Sequence, residues 1–506
     1  MVVLLSSAAA KLAPAQSSAL PDSASIRSIL ESGRAPTADG HAVDGKLLVA
    51  LYAPRQYQPV WTDSRQQSFQ RALDQAEAQG LDPVDYAVGT RDPAARELSL
   101  TDAFIRYARA LAQGRVPPAS FEKDWYIDSP GFDPAKAFEA AIAGDVATVL
   151  VGLAPHETAY ERLQLVLAHY RALAKTGWPV LAASSILRAG VRGEPVQRLR
   201  ERLTAEGYAA SGTREEPIYD KPLAEAVARF QATHGIAVSG VTDAETRTAL
   251  NVTAAERVHQ IVLNLERWRS LPRIEAASRI EVNVAAATAV LYQDGQAVET
   301  SRVIVGSLIH HTPVLRAEMQ SILFNPSWYV PHSIYVKELR PAIERDPLYM
   351  ERGGYVFREV NGASQLVQLP GPKNALGQIK FEIPNPADVY MHDTPDRKYF
   401  ARAKRFLSHG CVRVEGPKEL ARLLLHSPNW SSAAIDAAIA SGKTERVMLA
   451  QPLPVYLLYW TAFVDPDGTA EFRDDVYGRD RRLDQALAAY ATPPRVAGAI
   501  APSCTG

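Results

Sequence analysis

Cysteine is almost absent from this chain: Cys411 and Cys504 are the two thiols in 506 residues. Two cysteines so far apart, one of them third from the end, build no disulfide framework, which excludes the small disulfide-stapled classes. Net charge is nearly absent as well, at −1 formal at pH 7, so nothing in the total favours nucleic acid or a strongly anionic surface. Beyond the first residues no stretch approaches the roughly eighteen uninterrupted apolar residues of a membrane span. What is present is the apolar and charged content of an ordinary globular chain. At this length roughly two to four domains are expected rather than one core.

The opening Met1-Val2-Val3-Leu4-Leu5-Ser6-Ser7-Ala8-Ala9-Ala10 is apolar and small, and Ala13-Pro14-Ala15 has the small-x-small form of a processing site. Residues 1–15 therefore read as the remnant of a secretory signal, and 16–45, rich in Ser, Ala, Pro, Asp and Gly, as a linker. Export would then coexist with a free thiol, which points to a thiol wanted for its reactivity.

From 46 to 175 the apolar spacing is helical. Leu47, Leu48, Leu51 and Tyr52 share a face, as do Phe69, Leu73 and Ala76, and Tyr160, Leu163, Leu167 and Tyr170 close the run. Asp82-Pro83 and Pro117-Pro118 break it as turns do. Residues 190–252 form a compact unit of three predicted helices, the third opened by a capping box at Thr242-Asp243-Ala244-Glu245. His234 within it has no partner at metal-ligand spacing. A charged helix from Glu256 to Arg269 leads out, and after Leu271-Pro272 the period becomes that of strands. Arg279-Ile280-Glu281-Val282-Asn283-Val284 alternates strictly, and Asp294-Gly295 reads as a hairpin turn. A mostly β domain is expected over 275–480, with an insertion at 331–372 where alternation fails, read as a lid or a disordered loop, and residues 481–506 as a C-terminal tail. The fold class is multidomain α+β.

The chemistry concentrates in Ser408-His409-Gly410-Cys411-Val412-Arg413, with Tyr390-Met391-His392-Asp393 upstream. A free cysteine is usually a small core hydrophobe, but an apolar run is expected around such a residue, and here His409-Gly410 and Arg413 flank it. A thiol needs an imidazole or a cation to activate it. Cys411 is the candidate nucleophile and His392, emerging at a strand end, the candidate base. Asp393 orients the ring through its carboxylate or its carbonyl, and sequence leaves both open. His409, two residues before the sulfur on a tight turn, is assigned a supporting or substrate-facing role. The backbone N–H groups of Gly410 and Cys411 are the candidate oxyanion donors. Arg413 suits a substrate carboxylate or is a surface charge, and Ser408 is a further substrate-side candidate. Tyr390, Trp328 and Tyr329 either wall the cleft or belong to the core. The histidines are not joined by acids or cysteines at ligand spacing, so no metal and no cofactor is expected.

The pair of motifs, with His392 nineteen positions before Cys411, resembles the signature of the L,D-transpeptidases with a YkuD-type domain. Leu51-Tyr52-Ala53-Pro54-Arg55-Gln56-Tyr57-Gln58-Pro59-Val60-Trp61 resembles the opening of the scaffold domain of the large periplasmic members, and Phe230 to Val241 resembles a three-helix peptidoglycan-binding module. The resemblance runs from about residue 47 to about 480. It implies a periplasmic enzyme acting on peptidoglycan stem peptides. Cys411 would form a thioester with the third residue of a donor tetrapeptide, releasing D-alanine, and a second stem's amine would resolve it into a 3→3 crosslink. It also implies acylation of the same sulfur by carbapenems and a lid over the cleft. Water or a protein amine as acceptor, giving an L,D-carboxypeptidase or a protein-attaching enzyme, and a non-catalytic wall-binding scaffold are the alternatives. Cys504 is read as incidental.

Overall fold

The computed structural model describes residues 20–32, 37–38, 41–90, 92–182, 186–208 and 217–491. The expected signal remnant and Cys504 lie outside them. Among the described residues no helix is long and apolar enough to cross a membrane.

The N-terminal helical region is built around Pro93–Gln113, started by Asp92, whose carboxylate accepts the Ala95 N–H, and by proline at the first turn. Those two devices satisfy and pre-shape a helix start. Phe69, Phe104, Tyr107 and Phe138 pack its core. The expected linker is partly folded into this region. Helix Ser23–Glu31, capped by Asp22, buries Ile26 completely, an apolar residue that the surrounding Ser and Ala had masked.

Three helices, Glu194–Ala205, Lys221–Thr233 and Ala244–Leu250, form the next unit around Leu199, Leu223, Val227 and Phe230. The expected capping box is displaced. Asp243, not Thr242, is the cap, accepting the Thr246 N–H at 2.8 Å, because the helix begins at Ala244 and its third N–H then lies within reach of the Asp243 carboxylate. A true box lies nearby: Thr253 and Glu256 exchange hydrogen bonds at the start of Ala254–Arg269, a device that contributes about 1 kcal/mol.

The third region is a closed sheet. In order round the barrel run Ile379–Glu382, Met391–His392, Val412–Val414, Gln296–Gly306, Thr288–Gln293, Arg279–Asn283, Glu445–Leu458 and Val314–Phe324, which pairs back onto Ile379–Glu382. Closure leaves few free edges. Asp294 and Gly295 both take positive φ, 49° and 79°, as the predicted hairpin requires. A two-residue strand, Trp125–Tyr126, from the helical region joins the sheet parallel to Val314 and Leu315. The insertion holds short helices from His332 to Gly353 and a three-stranded sheet made with Trp328–Tyr329, Tyr355–Val360 and Ala363–Gln368.

Two junctions tie the regions together. Glu266, fully buried on Ala254–Arg269, accepts from Arg269 at 2.6 Å and from the Arg115 backbone N–H and side chain. Arg269 also donates to the Gln79 carbonyl and the Tyr160 hydroxyl. Beyond the barrel, Arg479–Ala491 is a helix within the expected tail; it buries Leu483 against Val116, Phe121 and Leu263. Its two apolar anchors four residues apart sit among charges, so the sequence resembles a solvated tail.

Candidate active site

The parallel pairing of Met391 with Val412 and His392 with Arg413 sets the two motifs side by side, and the Val412 N–H donates to the Tyr390 carbonyl at 3.0 Å. Cys411 is therefore delivered at the strand start next to Tyr390. The turn before it is self-braced. The Ser408 hydroxyl donates to the Cys411 carbonyl at 2.6 Å and accepts the Gly410 N–H at 3.1 Å. Gly410 has φ of 110°, a backbone conformation that favours glycine. Its carbonyl accepts from Thr312 Oγ1 at 2.8 Å, and the same hydroxyl oxygen accepts the Gly306 N–H.

Two expectations change here. The Gly410 N–H is engaged by Ser408 and is not free to meet an oxyanion, and Ser408, which lines the cleft but is 3 % exposed, has its hydroxyl committed inside the turn.

His392 ends its strand as expected and is 5 % exposed. Its Nδ1 is buried with no hydrogen-bond partner. Burial, then the charges of Arg413 and Lys380, hold the imidazole down to about 3, against the pull of the Asp393 and Leu376 backbone carbonyls. The Asp393 carboxylate is occupied elsewhere, accepting the Gln378 N–H at 2.9 Å and Arg397 at 3.0 Å. That leaves the carboxylate turned to other partners, while the Asp393 carbonyl is among the groups acting on the ring. Cys411 is half-buried, and burial pushes its thiol up, opposed by the Tyr390 backbone and hydroxyl and by Lys380 and Arg413. A neutral thiol and a neutral imidazole thus share the site at neutral pH.

Tyr390 belongs to the cleft, its ring 5.6 Å from that of His392, its hydroxyl pushed up by burial and then by Cys411, and meeting Trp328. Lys380 sits across the strand pair from His392, with Nζ 4.4 Å from the Tyr390 ring centroid. Sequence reasoning missed Lys380. The alternation Ile379-Lys380-Phe381 was the available signal, since it turns the lysine away from the core side. Arg413 is half-buried and its Nε has no partner; among the described residues no carboxylate is paired with it. His409 contacts the insertion. Its Nε2 lies 2.6 Å from Glu338 of the insertion, and its ring 4.8 Å from His310.

These groups line one cleft of about 1060 Å³, walled on one side by Ile334, Lys337 and Glu338 and on another by Trp328 and by Tyr329, which is half-exposed. Among the described residues no group of three His, Cys, Asp or Glu side chains is gathered as for a metal ion.

A helical region, a small three-helix unit and a closed β domain with a cysteine turn beside a buried histidine define a modular protein whose chemistry belongs to its β domain. That domain, over residues 277–443, matches the L,D-transpeptidase catalytic domain; residues 46–167 match the scaffold domain and 192–250 a putative peptidoglycan binding domain. A putative L,D-transpeptidase of Haemophilus influenzae is 32% identical over 243 residues, 45% of this chain and 49% of that protein, so the match spans about half the relative's length. Among solved structures, an L,D-transpeptidase from Mycobacterium smegmatis is 15% identical, covering 36% of this chain and 59% of that one with a TM-score of 0.20. One from Stackebrandtia nassauensis is 13% identical, covering 55% and 97% with a TM-score of 0.23.

Proposed function

We propose that the protein is a cysteine L,D-transpeptidase that joins peptidoglycan stems. The observation that carries the reading is the buried, unpartnered Nδ1 of His392 in the same cleft as Cys411. A buried polar atom left unbonded costs stability, and a proton arriving from the thiol in the transition state would supply the missing bond.

In the first half-reaction the Cys411 sulfur attacks the carbonyl carbon of the third residue of a donor tetrapeptide while its proton passes to His392. The C–N bond to the terminal D-alanine then breaks, and the leaving amine takes that proton. In the second, an amine of another stem attacks the thioester carbonyl and gives its proton back through His392 to the departing thiolate. The Cys411 N–H and the Tyr390 hydroxyl are the oxyanion donors, since the Gly410 N–H is already bonded. Arg413 receives a substrate carboxylate. Lys380 lends positive charge beside the thiolate as it forms. The neutral resting pair fits general-base attack rather than a standing thiolate. Both the scaffold and the peptidoglycan-binding modules fit work at the cell wall, outside the cytoplasm.

The test is incubation with peptidoglycan tetrapeptides and mass spectrometry of the products, with Cys411→Ala as control. Crosslinked dimers and a thioester adduct on Cys411 are expected from the unsubstituted chain alone. Dimers absent from both proteins would sink the transpeptidase reading, and tripeptide without dimer would replace it by an L,D-carboxypeptidase.

A further inference from the structure

A second concavity, about 490 Å³, lies where the three-helix module meets the barrel. One wall is the loop Gly235 to Val238 of the module, and the other is Ala285 to Thr288 with residues 401–406 of the β domain. The two walls are held in fixed relation. Phe472 is stacked against His234 at 5.5 Å and meets Tyr170 edge-on at 5.2 Å, with Arg257 4.6 Å above its ring. Arg473 donates to the Thr233 carbonyl at 2.9 Å, and Lys404 pairs with Glu245 at 2.7 Å. The gap is therefore a built groove and not a hinge.

Its lining is rich in donors. Arg302, Arg402, Lys404, Arg405 and Arg473 face it against Asp474 alone, and guanidinium and ammonium groups donate hydrogen bonds without accepting any. Arg405 is spent on backbone carbonyls, including those of Val303 and Ala287; Arg302 and Arg473 hold Glu415 and Glu471. Arg402 is different: it lies over the Tyr399 ring at 4.7 Å, and no carboxylate is paired with it among the described residues. Phe406 and the alanines supply an apolar floor. A donor-rich rim over an apolar floor fits a ligand rich in carbonyl and ether oxygens with an apolar face, as an N-acetylated sugar is.

Position selects the sugar further. Phe406 lines this groove and Ser408 lines the catalytic cleft, two residues along one strand, about 7 Å apart. An extended peptide covers about 3.3–3.6 Å per residue, so the third residue of a stem lies roughly 10 Å from its sugar. We propose that the groove between the peptidoglycan-binding module and the β domain binds the N-acetylated glycan of the donor, with Arg402 and the Val238 loop as its contacts, so that the attached stem reaches Cys411. The inference rests on the peptidoglycan reading given above.

The test separates the two. The full chain carrying Cys411→Ala is titrated calorimetrically with a disaccharide tetrapeptide and with the free tetrapeptide, alone and with Arg402→Glu or Val238→Trp added. Val238 is 63% exposed, so its enlargement fills the groove without disturbing a core, and an unchanged Tm checks that both variants fold. The disaccharide tetrapeptide is expected to bind more tightly than the free tetrapeptide, and each variant to weaken it about tenfold, Arg402→Glu by the loss of one charge-assisted contact and Val238→Trp by occupying the groove, with the free tetrapeptide unaffected. Equal affinity for the two probes in the parent chain, or equal weakening of both by the variants, overturns the site. Glycan-dependent binding upholds it even where the Cys411 chain forms no thioester, a result that would count against the catalytic reading alone.

Discussion

The Glu266 junction and the Cys411 cleft both take ionisable groups out of water, and they do it in opposite ways. At the junction burial alone would raise the Glu266 carboxyl, yet Arg269 and Arg115 more than offset it and hold it down to about 2. Arg269 keeps one unbonded Nε, but its charge is met. The cleft differs: His392 and Arg413 are buried or half-buried with unpartnered nitrogens, and among the described residues no carboxylate is paired with either, Asp396 acting on Arg413 through its charge alone. Burial with a partner is architecture. Burial without one costs stability, and His234 carries such a nitrogen in the three-helix unit too; in the cleft, where Cys411 lines the same space, a substrate or a moving proton can be the partner.

The sharpest way to break this contrast is His392→Gln. Thioester formation with a tetrapeptide, followed by mass spectrometry, should slow by about 10²–10⁴-fold, the usual share of a general base, while Tm changes little because one buried polar side chain replaces another of similar size. A fall in Tm with acylation preserved would make His392 structural. Glu266→Gln should do the reverse, costing about 3–5 kcal/mol in chemical denaturation by stranding a buried arginine, with acylation by the folded fraction unchanged.

Acid sharpens the comparison from the other side. A depressed carboxyl stabilises fully above its unfolded value, ordinarily about 4.3, and the benefit is lost only as pH falls towards about 2. The junction's contribution should therefore shrink gradually below that unfolded value, and Glu266→Gln should flatten this part of the stability–pH curve. In the cleft, alkylation of Cys411 by iodoacetamide should rise with pH through a midpoint above that of a free thiol, since burial pushes it up; a midpoint below it would mean a standing thiolate. The smallest effect is expected at Glu338→Gln. Its contact with His409 is exposed at both ends, so stability should not move measurably, and any change in the dimer-to-tripeptide ratio would report on the insertion's hold over the acceptor.

Much of this was legible in the chain. Arg279 to Val284 alternates because one face of its strand is buried, and Ser408 to Arg413 carries its turn in its own residues. Other parts were hidden for physical reasons. Ala363–Gln368 has Leu366 and Val367 as its apolar signal, too few to show a period. Ser408 and Gly410 were read as facing substrate because sequence does not reveal which turn groups bond each other. Lys380 beside His392, and Arg115 with Glu266, depend on pairings between strands or regions far apart in sequence, and no local pattern encodes them.

The pairing of Trp125–Tyr126 with Val314 and Leu315 bears on how the molecule is assembled. A strand made early in synthesis waits nearly two hundred residues for its neighbour, so the regions do not mature as beads on a string. Such long-range pairing slows folding. It also means that a chain trimmed to the β domain alone begins with a bare strand edge, open to adhesion with its own copies.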